Sequence, residues 1–245
     1  MITSTGNPRV KEIRKLARAR ERKAVGLTLL EGPHLAEAAV AAGAGITEVW
    51  VEEGDREGAG LAARAGLVPT IVSSEVLRAI ATTENPRGPV ATMSVPSLVP
   101  VSGVDTVVLW NIGDPGNAGT LIRSAAAFGW QVAMGPDSVD VWAPKVLRAG
   151  AGAHFSVRIA GIADLDELRA AGLTVIAGAA RGGHDPATVD RRPIALLIGS
   201  EPHGLPEAIV ATVDEVVTIE TAGSVESLNA AVAGSILMWS LRLPG

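Results

Sequence analysis

Two kinds of apolar spacing alternate along the chain and mark out its elements. Asn7-Pro8 has the form of a helix start, with Asn as N-cap and Pro in the first helical position, where no N–H is needed. Val10, Ile13, Leu16 and Ala17 then recur on one helical face and leave basic residues on the other. A short apolar run over 26–30 and a helix over 33–42 follow. Next come a strand in TEVWVEE, one in LVPTIVSS, a short helix over 75–80 and a strand in GPVATMSV. This is an α/β unit of roughly ninety residues, a size that folds alone. Residues 94–103, SVPSLVPVSG, carry two prolines and no periodicity, the signature of a linker.

Beyond the linker, DTVVLWN, WQVAMG, FSVRIA, LTVIAGAA, PIALLIG and EVVTIE are short apolar runs separated by helical stretches. Such runs predict a parallel sheet covered on both faces. An alanine-rich helix is expected over 118–128 and a last helix over 226–241. The expected fold is α/β, with domains at 1–95 and 104–245 and a linker at 96–103.

Composition narrows the chemistry. The 245 residues are 47% hydrophobic, enough to bury a real core, but no run is long enough to cross a bilayer. The most apolar candidate, 230–238, is interrupted by Gly234 and Ser235. The first residues have no signal-peptide pattern, so a cytoplasmic protein is expected. The chain has no cysteine, which excludes disulfides, thiolate metal sites and a thiol nucleophile. Its four histidines have no metal-ligand spacing, and no metal is expected.

Net charge is −5, yet residues 9–23 hold eight basic side chains against Glu12 and Glu21. Such a segment is either a solvated helix face or a phosphate footprint, with Arg9, Lys11, Arg18 and Arg22 as the candidate contacts.

Three loops, each after an expected strand, hold more polar detail than a turn requires. In NIGDPGNAGTLIRSAAAFG, Asn117 can cap the following helix, Asn111 has no capping duty, and Arg123 is either a surface arginine or a functional group. In LLIGSEPHGL, Gly199 either admits a ligand to the backbone or shapes a turn with Gly204, while His203 reads as part of that turn. In IETAGSVESLNAAVAG, Ser224 reads as an N-cap, with Ser227 and Asn229 in the first turns of the helix, where both are mediocre formers. Ligands of parallel sheets bind at such carboxyl-edge loops. Neither a P-loop nor a dinucleotide fingerprint is present, which disfavours a nucleotide-dependent oxidoreductase.

Together the three blocks resemble, in order and spacing, the motifs of the SpoU/TrmH class of RNA ribose 2′-O-methyltransferases, within the SPOUT superfamily. TSTGNPRVKEIRKLARARERK and LLEGPHLAEAA are similar to the ribosomal-protein-like substrate-binding domain that many members carry. The resemblance implies a small N-terminal α/β RNA-binding domain and a C-terminal α/β SPOUT domain with a trefoil knot. It also implies S-adenosylmethionine as methyl donor, a homodimer, and RNA as partner, ribosomal RNA ahead of transfer RNA. By the same resemblance Gly199, Ile219 and Leu228 contact the donor, and Asn117, Arg123, Glu201, Ser227 and Asn229 surround the reacting ribose. One departure is Ile219-Glu220-Thr221 where the family usually has Ile-Pro-Met; Glu220 either alters donor affinity or faces water.

The implied reaction is an in-line displacement that needs no metal. Arg123 suits a grip on phosphate and a nascent alkoxide, with the proton passing to phosphate or water. Asn117 and Asn229 can bond ribose or the arginine, Ser227 can orient the hydroxyl, and Glu201 can pair with Arg123 or hold a loop. Methylation at pyrimidine C5 is disfavoured because it ordinarily uses a cysteine. A non-catalytic RNA binder is the rival that retained catalytic-type residues disfavour. Five tryptophans, two phenylalanines and no tyrosine suit recognition through phosphate and shape more than base stacking.

Overall fold

Asn7 caps α1 (Pro8–Lys15): its side chain accepts the Arg9 N–H, and Pro8 opens the helix. The computed structural model describes residues 1–190, 192–201, 203–222 and 226–242. Contacts group them into two units, of which the first comprises Met1–Ser97 and Trp142–Ser156. Val10, Ile13 and Leu16 are buried, as their spacing predicts. The helix nevertheless stops after Lys15, and the chain resumes as α2 (Ala19–Val25). Arg22 holds this break. It is 4% exposed, and its guanidinium donates to the carbonyls of Leu16 (3.0 Å) and Ala17 (3.2 Å). Carbonyls freed at a helix end need donors, and a buried guanidinium supplies two. Arg22 therefore corrects the expectation of a surface cation, since its donors are used inside the unit. Arg9, Lys11 and Arg18 are exposed, with Arg9 reaching Glu48 at 2.6 Å.

Strands β1 (Leu27–Glu31), β2 (Ile46–Glu52), β3 (Thr70–Val72) and β4 (Val90–Ser94) form a mixed sheet in the order β1-β4-β2-β3. Helices α3 (Pro33–Ala41), α4 (Arg56–Arg64) and α5 (Ser74–Ile80) join them. Periodicity did not disclose α4, REGAGLAAR, because its two glycines lower helix propensity. Its cap Asp55, which accepts the Gly58 N–H at 2.8 Å, and the burial of Leu61 and Ala62 hold it.

The second unit comprises Leu98–Val141 and the chain from Val157 onward. Its strands are β5 (Thr106–Leu109), β6 (Gln131–Met134), β7 (Ile159–Gly161), β8 (Thr174–Ala179), β9 (Ile194–Ile198) and β10 (Glu215–Thr218). They lie in the order β10-β8-β9-β5-β6-β7, and every neighbouring pair is parallel. FSVRIA enters the sheet only at Ile159; Ala153–Phe155 is a 3-10 turn. Strand order reverses between β5 and β9, so the loops after these two strands face each other across the crevice where such sheets bind ligands. Helix α6 (Pro115–Phe128) follows β5.

Between β6 and β7, Trp142–Ser156 belong to the first unit. There α7 (Pro144–Gly150) buries Val146 and Leu147, and Thr28 Oγ1 donates to the Trp142 carbonyl at 2.6 Å. Arg148 lies 3.1 Å from the Glu31 carboxylate, whose side chain is 3% exposed, and donates to Thr82 Oγ1 at 2.7 Å. Glu31 also accepts the Thr82 N–H (3.0 Å) and the hydroxyls of Thr82 (2.5 Å) and Thr83 (3.2 Å). Arg148→Met leaves those neutral donors in place but removes the counter-charge. It is expected to lower stability by about 1–3 kcal/mol, seen as a lower urea midpoint at unchanged m.

Helices α8 (Asp166–Ala170) and α9 (Glu207–Val210) are short, and α10 (Ala230–Ser240) closes the unit. The last helix thus starts four residues later than expected. Asn229 is its N-cap, accepting the N–H groups of Ala231 (3.0 Å) and Val232 (3.1 Å). Ser227 therefore precedes the helix, and Ser224 lies outside the described residues. Gly234 lets α10 close on its neighbours: an added Cβ would stand 2.5 Å from Leu121 of α6 and 3.1 Å from Ile198 of β9. Among the described residues no helix is long and apolar enough to cross a membrane.

Candidate active site

The turn after β5 is built by its backbone. Asn111 has φ +54°, a left-handed conformation that asparagine tolerates better than most residues, and its N–H donates to the Pro136 carbonyl at 3.1 Å. That conformation accounts for an asparagine at this position. Asp114, not Asn117, caps α6, accepting the Asn117 N–H at 2.8 Å. The Asn117 side chain is thereby left for other use.

That use joins three of the expected catalytic positions. Asn117 Nδ2 donates to Glu201 Oε1 at 3.0 Å, and Asn229 Nδ2 donates both to Asn117 Oδ1 at 3.0 Å and, very closely, to the same Glu201 oxygen. The orientations follow one from another. Asn229 Oδ1 is committed to capping α10, so its amide nitrogen must face Asn117 and Glu201. Asn117 then presents its oxygen to Asn229 and its nitrogen to the carboxylate. The cluster fastens the loop after β9 to the N-terminal ends of α6 and α10. Glu201 pairs with these amides and not with Arg123.

Two cavities open beside this cluster. The larger, about 550 Å³, lies among the loops after β8, β9 and β10; Gly199, Ile219, Ser227 and Leu228 all line it. The smaller, about 290 Å³, lies between the loop after β5 and the loop after β9, with Asn111, Asp114 and Asn117 on one side. Ser200, Glu201 and His203 line both. Ser200 and Asp114 carry no signal in the sequence, and His203 reads there as part of a turn, because nothing in its spacing relates it to the loop after β5. Glu220 is exposed and outside both linings, as expected if it faces water.

Gly199 serves the loop itself. A Cβ there would stand 2.4 Å from the Gly204 carbonyl carbon and 2.5 Å from Leu205 N, while Gly204, at φ +64°, donates its N–H to the Ser200 carbonyl at 2.8 Å. Arg123 lies apart from the cluster. It is exposed on α6 and lines neither cavity. Among the described residues no group of three or more histidines and carboxylates is arranged to hold a metal ion.

The larger cavity suits S-adenosylmethionine in size and chemistry. Its volume is that of a small-molecule site. Ile198, Leu205, Ile219 and Leu228 offer apolar surface to an adenine, the Gly199 backbone can meet its polar edge, and Glu201, Glu226 and Arg181 offer charges of both signs to a sulfonium and an amino-acid group. A parallel α/β unit with such a cavity beside a second, smaller one has room for two reactants side by side.

The comparisons specify the family. Residues 105–239 match the SpoU rRNA Methylase family, and residues 7–91 match the MRM3-like substrate binding domain. An uncharacterized tRNA/rRNA methyltransferase of Synechocystis is 35% identical across 98% of this chain and 93% of its own. The 23S rRNA (guanosine(2553)-2′-O)-methyltransferase RlmP of Bacillus subtilis is 30% identical across 98% of both. The AdoMet-bound rRNA methyltransferase of Sinorhizobium meliloti superposes with a TM-score of 0.87 at 30% identity, covering 98% of this chain and 96% of that one. The chain belongs to the SpoU rRNA methylase family, with the α/β fold and parallel sheet of SPOUT proteins, and is an S-adenosylmethionine-dependent RNA methyltransferase.

Proposed function

We propose that this protein methylates a ribose 2′-hydroxyl of ribosomal RNA in the cytoplasm, with the methyl donor in the larger cavity and the ribose in the smaller. The observation that carries this reading is the Asn117–Glu201–Asn229 cluster, which fixes the wall shared by the two cavities. S-adenosylmethionine supplies an electrophilic methyl that already carries its leaving group. The chain's own work is then to position both partners and manage charge and proton. Gly199, Ile219 and Leu228 hold the donor, Ser227 meets the hydroxyl from the wall of the donor cavity that it lines, and the cluster keeps Glu201 in place. Arg123, outside both cavities, takes a phosphate of the RNA. Arg9, Lys11 and Arg18 form the footprint on the RNA-binding unit, and the expected division at 1–95 and 104–245 is amended to Met1–Ser97 with Trp142–Ser156 for that unit and Leu98–Val141 with the chain from Val157 onward for the catalytic one. The trefoil knot belongs to this reading, and the strand order β10-β8-β9-β5-β6-β7 is compatible with it.

A homodimer is the working form in this reading. Val232, Ile236 and Trp239 stand 46%, 39% and 51% exposed along one side of α10, whose other side is buried. A helix apolar all round needs cover on both sides. Ile236→Asp is expected to shift the protein from dimer to the 25.0 kDa monomer in sedimentation velocity. An unchanged dimer would place the interface elsewhere.

The function is tested by transfer from methyl-labelled S-adenosylmethionine to unmodified rRNA and tRNA offered separately, followed by alkaline hydrolysis. Label in an alkali-resistant dinucleotide from rRNA is the expected result. The same label from tRNA alone would change the substrate, and label lost from such dinucleotides would move the methyl off the 2′-oxygen.

A further inference from the structure

We propose that the side-chain amide of Asn111 reads the base of the nucleotide whose ribose is methylated. The proposal rests on the reading of the smaller cavity as the ribose site. The duty of Asn111 described above belongs to its backbone, which makes the left-handed turn after β5. Glycine meets that duty with less strain. Among the described residues ten glycines and only three other residues have φ in this region, so glycine is the usual choice of this chain. An amide at 111 needs a further reason.

Its surroundings supply one. Asn111 is exposed on the lining of the smaller cavity, with Asp114 on its own side and Glu201 on the loop after β9. Asp114 caps α6, and Glu201 is held by Asn117 and Asn229. The Asn111 side chain, by contrast, forms no hydrogen bond with another described residue, so its donor and its acceptor are both available to a ligand. The turn that carries it is braced. Ser138 Oγ donates to the Leu109 carbonyl at 2.7 Å and accepts the Ile112 N–H at 3.3 Å, and the Val139 N–H donates to the Ile112 carbonyl at 2.9 Å. A group presented on a fixed loop loses little freedom when it binds.

The chemistry of the ligand follows from the amide. Phosphate oxygens only accept, so a phosphate would leave the Asn111 Oδ1 facing an anion, and Asp114 and Glu201 add two carboxylates to the same lining. The ring and ester oxygens of the ribose also only accept. The 2′-hydroxyl does both, but it gives up its proton in the reaction. What remains of a nucleotide is the edge of its base, where donors and acceptors stand side by side. A carboxamide matches that pattern with two bonds, as it does in reading adenine in DNA, and unpaired RNA bases offer such edges. Asn111 thus determines which nucleotide is held and takes no part in moving the methyl or the proton.

The experiment first maps the nucleotide that the wild type methylates in whichever of rRNA and tRNA accepts label. Four transcripts of that RNA, differing only in the base at that position, are then offered to the wild type and to Asn111→Gly. Donor affinity by equilibrium dialysis, a thermal melt and sedimentation velocity are measured alongside. The wild type is expected to prefer the natural base over the others. Asn111→Gly should lose roughly 10–100-fold in kcat/KM on the natural transcript, mostly through KM, and lose the preference by the same factor. Its donor affinity and dimer should be unchanged and its melting temperature at least as high.

A residue that serves the turn alone predicts full preference in Asn111→Gly, because glycine keeps the turn. That result, or a wild type indifferent to the base, would overturn the assignment. So would dissociation of the Asn111→Gly dimer, which would place the amide at the subunit contact, or weakened donor binding in that variant. A wild type that labels neither rRNA nor tRNA would fail the ribose-site reading, and the proposal with it.

Discussion

Asn229→Asp is expected to keep α10 capped and yet reduce kcat/KM by at least about 100-fold, near 2.7 kcal/mol of transition-state stabilisation. Asparagine and aspartate cap equally well, and a carboxylate at a helix N-terminus is further favoured by the helix dipole. The cap on Ala231 and Val232 therefore survives. The amide hydrogens that faced Asn117 Oδ1 and Glu201 Oε1 do not. In their place an acceptor faces another acceptor and a like charge, and the loop carrying Glu201 must move away. Thermal melting and activity together separate the two duties of this residue. Asn229→Ala should lose both, with roughly 1 kcal/mol of stability gone with the cap. Full activity in the aspartate variant would reduce Asn229 to a helix cap.

Gly199→Ala is expected to weaken S-adenosylmethionine binding by more than about 100-fold and to lower stability by about 1–3 kcal/mol. The atoms that meet the added methyl, 2.4–2.5 Å away, belong to the backbone of Gly204 and Leu205 and cannot rotate aside. The loop must open, and the bond from the Gly204 N–H to the Ser200 carbonyl goes with it. Calorimetric titration and a thermal melt give the two quantities. Normal donor binding by this variant would mean that the larger cavity does not depend on the closure of this loop.

Strands β5, β6, β8, β9 and β10 were legible because each is a short apolar run between turn residues, and polar detail after β5, β9 and β10 located the cavities. The meeting of Asn117, Glu201 and Asn229 was not legible as a hydrogen-bonded cluster. They are separated by 84 and 28 residues and converge only because β5 and β9 are neighbours in the sheet. The break after α1 depends on a tertiary contact from Arg22, whereas apolar spacing reports only local periodicity. Counting charge likewise cannot tell a buried arginine from its exposed neighbours. His203 acquires meaning only when the loop after β5 is placed opposite it.

The return of residues 142–156 to the first unit bears on how such enzymes could be retargeted. An exchange of RNA specificity by grafting a foreign N-terminal cassette over 1–97 would import a new partner for Arg148 at position 31 while keeping the old α7. The graft would match only by luck of inheritance or by carrying 142–156 with it. The two units are thus interleaved in the gene, and exchange of the first by a single contiguous segment should succeed less readily than exchange that carries 142–156 as well.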